Sequence, residues 1–119
     1  MPFIVIIPAR FSSSRLPGKP LIDIGGKPMI ERVYGLARQS KAKEVYVATD
    51  HKEILDCCSS FGAKVVMTKP QHLTGTDRVA ETTEILNLDS DAVVVNLQGD
   101  EPFLNFSDIN NLAKFFIKE

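Results

Sequence analysis

Phe3–Leu21, FIVIIPARFSSSRLPGKPL, opens with five apolar residues, Phe3 to Ile7, mostly β-branched and without a charge. A run of that kind reads as a strand buried on both faces of a parallel sheet. Pro8 lacks a backbone donor and is expected to end the strand. The residues that follow carry Arg10, Arg15 and Lys19, the serines Ser12, Ser13 and Ser14, Gly18 and two further prolines. A cationic, hydroxyl-rich loop directly after a buried strand places positive charge at the carboxyl end of a sheet, where open α/β folds bind ligands. Two guanidiniums and an ammonium suit a polyphosphate, Arg through its forked donors and Lys as a mobile point charge. The competing reading is a solvated surface loop.

The rest of the chain alternates in the same way. Leu21–Ile24 ends at Gly25-Gly26, a turn signal. Lys27-Pro28 then opens a helix with Met29, Ile30, Val33, Leu36 and Ala37 on one face, weakened by Gly35. Glu44–Thr49 is a second strand, and Asp50 with Glu53 predicts a capping box for a helix whose stripe is Ile54, Leu55, Cys58 and Phe61. Gly62 is expected in the left-handed position that ends it. Lys64–Met67 is a third strand and Thr68–Gly75 a loop. A helix capped by Thr76 or Asp77 is expected to run to about Leu86. Asp91–Asn96 is a fourth strand, and Ser107 caps a last helix bearing Ile109, Leu112, Ala113 and Phe116. This β-α order predicts an α/β fold, a parallel sheet with helices on both faces and right-handed crossovers.

Length and composition leave room for one domain with a modest core: 119 residues, 44% apolar and 24% charged. No apolar run reaches the ~20 residues of a membrane helix. The amino terminus enters strand-like sequence without a basic leader or a small-residue cleavage site, so a cytoplasmic protein is expected. Net charge is −1, but residues 1–43 sum to +6 and residues 44–119 to −7. A basic front suits a polyanionic ligand, and an acidic back can hold an accompanying metal. No aromatic-interleaved basic stripe suggests nucleic acid. The adjacent Cys57 and Cys58 make neither a metal quartet nor a disulfide framework, and Cys58 is expected to face inward as a small hydrophobe. His51 and His72 lack partners at ligand spacing and read as exposed polar side chains.

Two later stretches carry chemistry. In HLTGTDRVAE, His72–Glu81, Gly75 permits close approach of backbone, and Thr74 and Thr76 offer hydroxyls near a helix start. An ordinary capped helix with Arg78 solvated is the alternative. In VNLQGDEP, Val95–Pro102, an apolar strand delivers Gln98, Gly99, Asp100 and Glu101 to the same sheet edge as the first loop. Asp100 is the natural magnesium ligand and Glu101 the alternative, since Mg2+ takes carboxylates together with substrate phosphates. Gln98 can hydrogen-bond substrate through its amide, and a polar β-α turn is the bland reading. Neither a dinucleotide glycine motif nor a P-loop exists, because Gly18-Lys19 and Gly26-Lys27 are each followed by Pro.

Together, PAR with S-x-R-L-P-G-K-P-L, HLTGTDRVAE and VNLQGDEP resemble the 3-deoxy-manno-octulosonate (Kdo) cytidylyltransferases, the CMP-Kdo synthetases of lipopolysaccharide synthesis. The resemblance implies a Rossmann-like sheet of the nucleotidyltransferase type. It gives Arg10, Arg15 and Lys19 to the CTP phosphates and turns the backbone of Pro8, Ala9 and Arg10 toward the nucleotide. It sets Thr74, Gly75, Thr76 and Arg78 beside the cytosine and ribose, and gives Mg2+ to Asp100. The implied reaction is attack of a Kdo hydroxyl on the α-phosphate of CTP, releasing pyrophosphate. CTP and Kdo are the implied partners and a homo-oligomer the implied assembly, with no nucleic acid or membrane partner. Members of the family are about twice this length. Residues 1–119 are thus expected to form the amino-terminal, nucleotide-binding part, with the sugar-binding and dimerisation part absent. A catalytically incomplete nucleotide-binding or oligomerising module is the alternative.

Overall fold

The computed structural model describes residues 3–10, 18–69, 75–88 and 92–97. Strand β1 is Phe3–Pro8, the centre of a four-stranded sheet. A two-stranded hairpin follows, β2 (Asp23–Ile24) and β3 (Lys27–Pro28), then α1 (Met29–Gln39). After these come β4 (Glu44–Thr49), α2 (Lys52–Ser60), β5 (Lys64–Met67), α3 (Gly75–Ile85) and β6 (Val93–Asn96). The main sheet has the order β5-β4-β1-β6, and all its neighbours pair in parallel. The chain steps outward from β1 to β5, then returns to the other side of β1 to lay down β6. Its direction reverses between β1 and β6, which makes that boundary the topological switch point.

The apolar run in β1 is buried on both faces, as its composition predicts. Phe3, Val5 and Ile7 join the larger core with Met29, Ile30 and Val33 of α1 and Ile54 and Cys58 of α2. Ile6 belongs to a second cluster with Ala48 and Val79 of α3, flanked by Ile4 and Val94. The period-two alternation of a strand assigns odd residues to one helical layer and even residues to the other. Helices therefore cover both faces.

Pro8 is the last residue of β1, at the switch point where open α/β sheets form their ligand crevice. The Ala9 amide donates to the Ala48 carbonyl at 2.9 Å, on the β4 side, and the Leu97 amide donates to Ile6 at 3.1 Å, on the β6 side. Backbone groups alternate sides, so the donor that Pro8 lacks would have faced β6. There the ladder stops at Ile6–Asn96, while on the other side it continues to Pro8–Ala48. A proline at that position costs no bond and ends the pairing at the switch point.

Local departures from the sequence expectations have identifiable causes. The Gly25-Gly26 turn closes a hairpin instead of ending a single stretch. Both glycines have positive φ, +63° and +95°, the signature of a tight two-residue turn. Arg32 fixes it from α1, Nε donating to Ile24 O at 2.9 Å and Nη2 to Gly25 O at 2.7 Å. Pro28 stands at the cap position of α1, so the helix opens where Lys27-Pro28 was expected to open it. Leu36 and Leu55 are half-buried at the margins of their helical stripes. The α2 cap is His51, whose Nδ1 accepts from the Glu53 amide at 3.2 Å. Asp50 stands one residue too early for this role and turns to an arginine instead, and His51 is half-buried by its cap. Gly62 takes the expected left-handed φ of +81°. At the end of α3 Asn87 does the same with φ +54°, while Leu88 N bonds Thr83 O at 3.1 Å. The helix begins at Gly75, ahead of Thr76 and Asp77, so neither is its cap. Strand β6 starts at Val93, two residues later than expected. The expected helix from Ser107 lies outside the described residues. Among the described residues, no helix is long and apolar enough to cross a membrane.

Candidate functional site

The carboxyl ends of the four parallel strands form one edge, and the candidate residues distribute along it. Pro8 and Ala9 end β1 in the interior, with Ala9 2% exposed, and Arg10 follows on the surface. An exposed arginine thus directly follows a buried backbone step at the carboxyl end of β1. Lys19 starts a single 3-10 turn, Lys19–Leu21, closed by the Leu21 amide on Gly18 O at 2.8 Å. Gly18 adopts φ +75°, and Leu21 packs against the larger core, so the backbone bearing Lys19 is anchored at both sides. Leu97 continues β6 at the same edge and is 3% exposed. Arg15, His72, Thr74, Gln98, Asp100 and Glu101 lie outside the described residues. Gly75 and Thr76 form the start of α3.

Arg78 is the surprise of the edge. The solvated arginine of the alternative reading is instead 1% exposed and among the largest fully buried side chains. Its Nη1 donates to Thr68 Oγ1 and, at 3.3 Å, to the Lys69 carbonyl. The same nitrogen stands 3.7 Å from Asp50 Oδ1. Arg78 Nε, also buried, has no hydrogen-bond partner among the described residues. One turn along α3, the Glu81 carboxylate accepts the Lys69 amide at 3.1 and 3.3 Å. Thr68 itself is tied to the sheet, its amide donating to Thr49 O at 2.9 Å. Asp50, Thr68 and Glu81 were missed in the sequence. Asp50 and Thr68 immediately follow strands and so fall on the ligand-bearing edge, while Glu81 stands three residues after Arg78 on the same helical face.

The described residues contain no group of three or more His, Cys, Asp or Glu side chains able to hold a metal ion. Cys58 is buried, and that burial pushes its thiol up to about 12, with Cys57 adding to the shift. Such a thiol is inert near neutrality, in keeping with its reading as a small hydrophobe. A cavity of about 450 Å3 runs along α1 between Lys27, Tyr34, Gln39 and Phe61, and none of the candidate residues lines it.

A family model described as Cytidylyltransferase matches residues 4–118. The chain belongs to the cytidylyltransferase family. Among curated relatives of this chain, the 3-deoxy-manno-octulosonate cytidylyltransferase of Hahella chejuensis is 56% identical over 111 residues, 93% of this chain and 44% of the relative. The protein of the same name from Saccharophagus degradans is 54% identical over 113 residues, 95% of this chain and 44% of the relative. A solved CMP:2-keto-3-deoxy-manno-octonic acid synthetase complexed with CTP superposes with a TM-score of 0.91 at 42% identity, covering 100% of this chain and 48% of that one. A cytidylyltransferase from Leptospira borgpetersenii, at 22% identity and a TM-score of 0.82, shares the fold. The chain spans under half the length of the two curated relatives and of the CTP-bound synthetase, and half that of the Leptospira protein.

Proposed function

We propose that this chain is the nucleotide-binding part of a CTP:Kdo cytidylyltransferase, which transfers CMP to Kdo and releases pyrophosphate. The observation that carries the reading is its likeness, at 42% identity over the whole chain, to a synthetase of that name complexed with CTP. The sheet supports it independently: an exposed cation, Arg10, follows a proline that ends β1 at the switch point. Arg10, Arg15 and Lys19 would neutralise the triphosphate, with Pro8 and Ala9 offering backbone to the nucleotide. Thr74, Gly75, Thr76 and Gln98 would contact the nucleoside or substrate. Asp100, following the end of β6 by sequence, supplies the hard oxygen that suits Mg2+. A bound Mg2+ would offset charge on the leaving pyrophosphate, and the protein's own cations would orient the phosphates for in-line attack.

A second reading is a nucleotide-binding or oligomerising module without turnover. Sugar contacts and dimer formation would then belong to sequence that the match leaves uncovered. Purified chain supplied with CTP, Mg2+ and Kdo separates the two. Pyrophosphate release with CMP-Kdo formation supports the enzyme, and CTP binding without release supports the module. Absence of CTP binding refutes the enzyme and the nucleotide-binding module alike, and leaves the oligomerising one.

A further inference from the structure

Burying Arg78 demands an explanation that stability alone does not supply. Taking a guanidinium out of water costs several kcal/mol, and a buried ion pair rarely outperforms an apolar replacement of similar volume. Here the arrangement is also incomplete, since Nε is buried without a partner among the described residues. A buried donor left unmatched is an added cost, and native proteins keep such groups where geometry matters. The partners of Arg78 all sit where the ligand-bearing edge is built: Asp50 after β4, and Thr68 and Lys69 after β5. Glu81 ties the Lys69 amide to the same helix, one turn further on. The Arg78 contacts and the Glu81 carboxylate accepting the Lys69 amide therefore lock the first turns of α3 to the ends of two strands.

We infer that Arg78 is a positioning residue, which with Asp50, Thr68 and Glu81 holds the Gly75 end of α3 against the sheet edge and so sets nucleotide affinity without touching the nucleotide. This rests on the nucleotide-binding reading above. Burial argues against direct contact, because Nη1 is already committed to Thr68 and Lys69 and the side chain is 1% exposed. The role also accounts for the R-x-x-E part of the HLTGTDRVAE motif, Arg78 and Glu81.

The sign of one substitution separates positioning from simple electrostatics. Asp50→Asn removes a negative charge from the edge that would bind a polyanion, and acting through the field alone it would tighten CTP binding. Acting through Arg78 it weakens binding, by about three- to tenfold for coupling of ordinary size. CTP affinity is measured by calorimetry on the 119-residue chain carrying Asp50→Asn, Thr68→Val or Arg78→Lys. The lysine retains charge but cannot span all three partners, so it restores only part of the affinity lost in Arg78→Met. Hydrogen exchange is read in parallel at the amides of Val79 and Ala80, which bond back to the first turn of α3, and at Lys69. Weaker CTP binding with faster exchange at these amides, in variants that remain folded, is the expected result. Equal or tighter CTP binding by Asp50→Asn overturns the positioning role, and so does unchanged exchange. If Arg78→Met fails to fold, the milder Asp50 and Thr68 variants still decide. A wild-type chain that binds no CTP overturns the nucleotide reading and the functional half of this inference, while the exchange measurement still decides whether the clamp exists.

Discussion

Ile6→Ala tests how the edge is supported from beneath. Ile6 is fully buried on the central strand and packs with Ala48 and Val79, the contact through which α3 seats on the sheet. Truncation removes its outer carbons, at about 0.8 kcal/mol for each methylene-sized group. A residual cavity adds to this where neighbours cannot collapse, and β1 is held by strands on both sides. The expected loss is about 3–4 kcal/mol, toward the upper half of the range for such truncations. Equilibrium urea unfolding reads it as a lower midpoint with an unchanged slope. Met67→Ala, at a residue 44% exposed on the edge strand, serves as the control and should cost under about 1 kcal/mol. Hydrogen exchange adds direction: amides of α3 should open before those of α1, which is held by the other cluster. A loss below about 1 kcal/mol for Ile6→Ala, or loosening of α1 ahead of α3, would refute the two-layer assignment.

Further expected outcomes follow from the edge and the core. Arg10→Ala, Arg15→Ala and Lys19→Ala should each weaken CTP about 10- to 150-fold, from charge-assisted contacts worth roughly 1.5–3 kcal/mol, and CMP much less, as calorimetry would show. Equal losses for CTP and CMP would move these residues off the β- and γ-phosphates. Asp100→Asn should remove the Mg2+ dependence of CTP binding while leaving the melting temperature nearly unchanged, and an unaltered Mg2+ dependence sinks the metal assignment. Alkylation near neutral pH followed by peptide mapping should label Cys57 before Cys58. The Cys58 thiol, raised by burial to about 12 from 9.0, keeps its proton in the fold while the unfolded chain ionises. Its contribution to stability is therefore constant below the unfolded value and declines as pH rises through the window between the two.

Much of the fold was legible because it rests on periodicity and charge. The uncharged β-branched run before Pro8 reads as a doubly buried strand, and the structure buries Phe3, Val5 and Ile7 on one face of β1 and Ile6 on the other. Arg10 at the carboxyl end followed from the same logic. Arg78 was not legible, because a solvated and a buried arginine occupy the same helical position and what separates them is the partner set. Those partners, Asp50 and Thr68, come from strands 28 and 10 residues upstream, brought together by the parallel crossovers. The His51 cap escaped for a related reason. Asp50 has the better intrinsic capping preference, but α2 starts at Lys52, which leaves the cap position to His51 and Asp50 3.7 Å from Arg78.

The central claim is that the crevice between β1 and β6 receives the nucleotide. Titration of the isotope-labelled chain with CTP and Mg2+, followed through backbone amide resonances, tests it most directly. Shifts concentrated at Ala9, Arg10, Gly18, Lys19 and Leu97, with Lys41–Lys43 at the opposite edge unmoved, are the predicted result. Shifts centred on the α1 groove at Tyr34 and Phe61, or none at saturating CTP, would contradict the account.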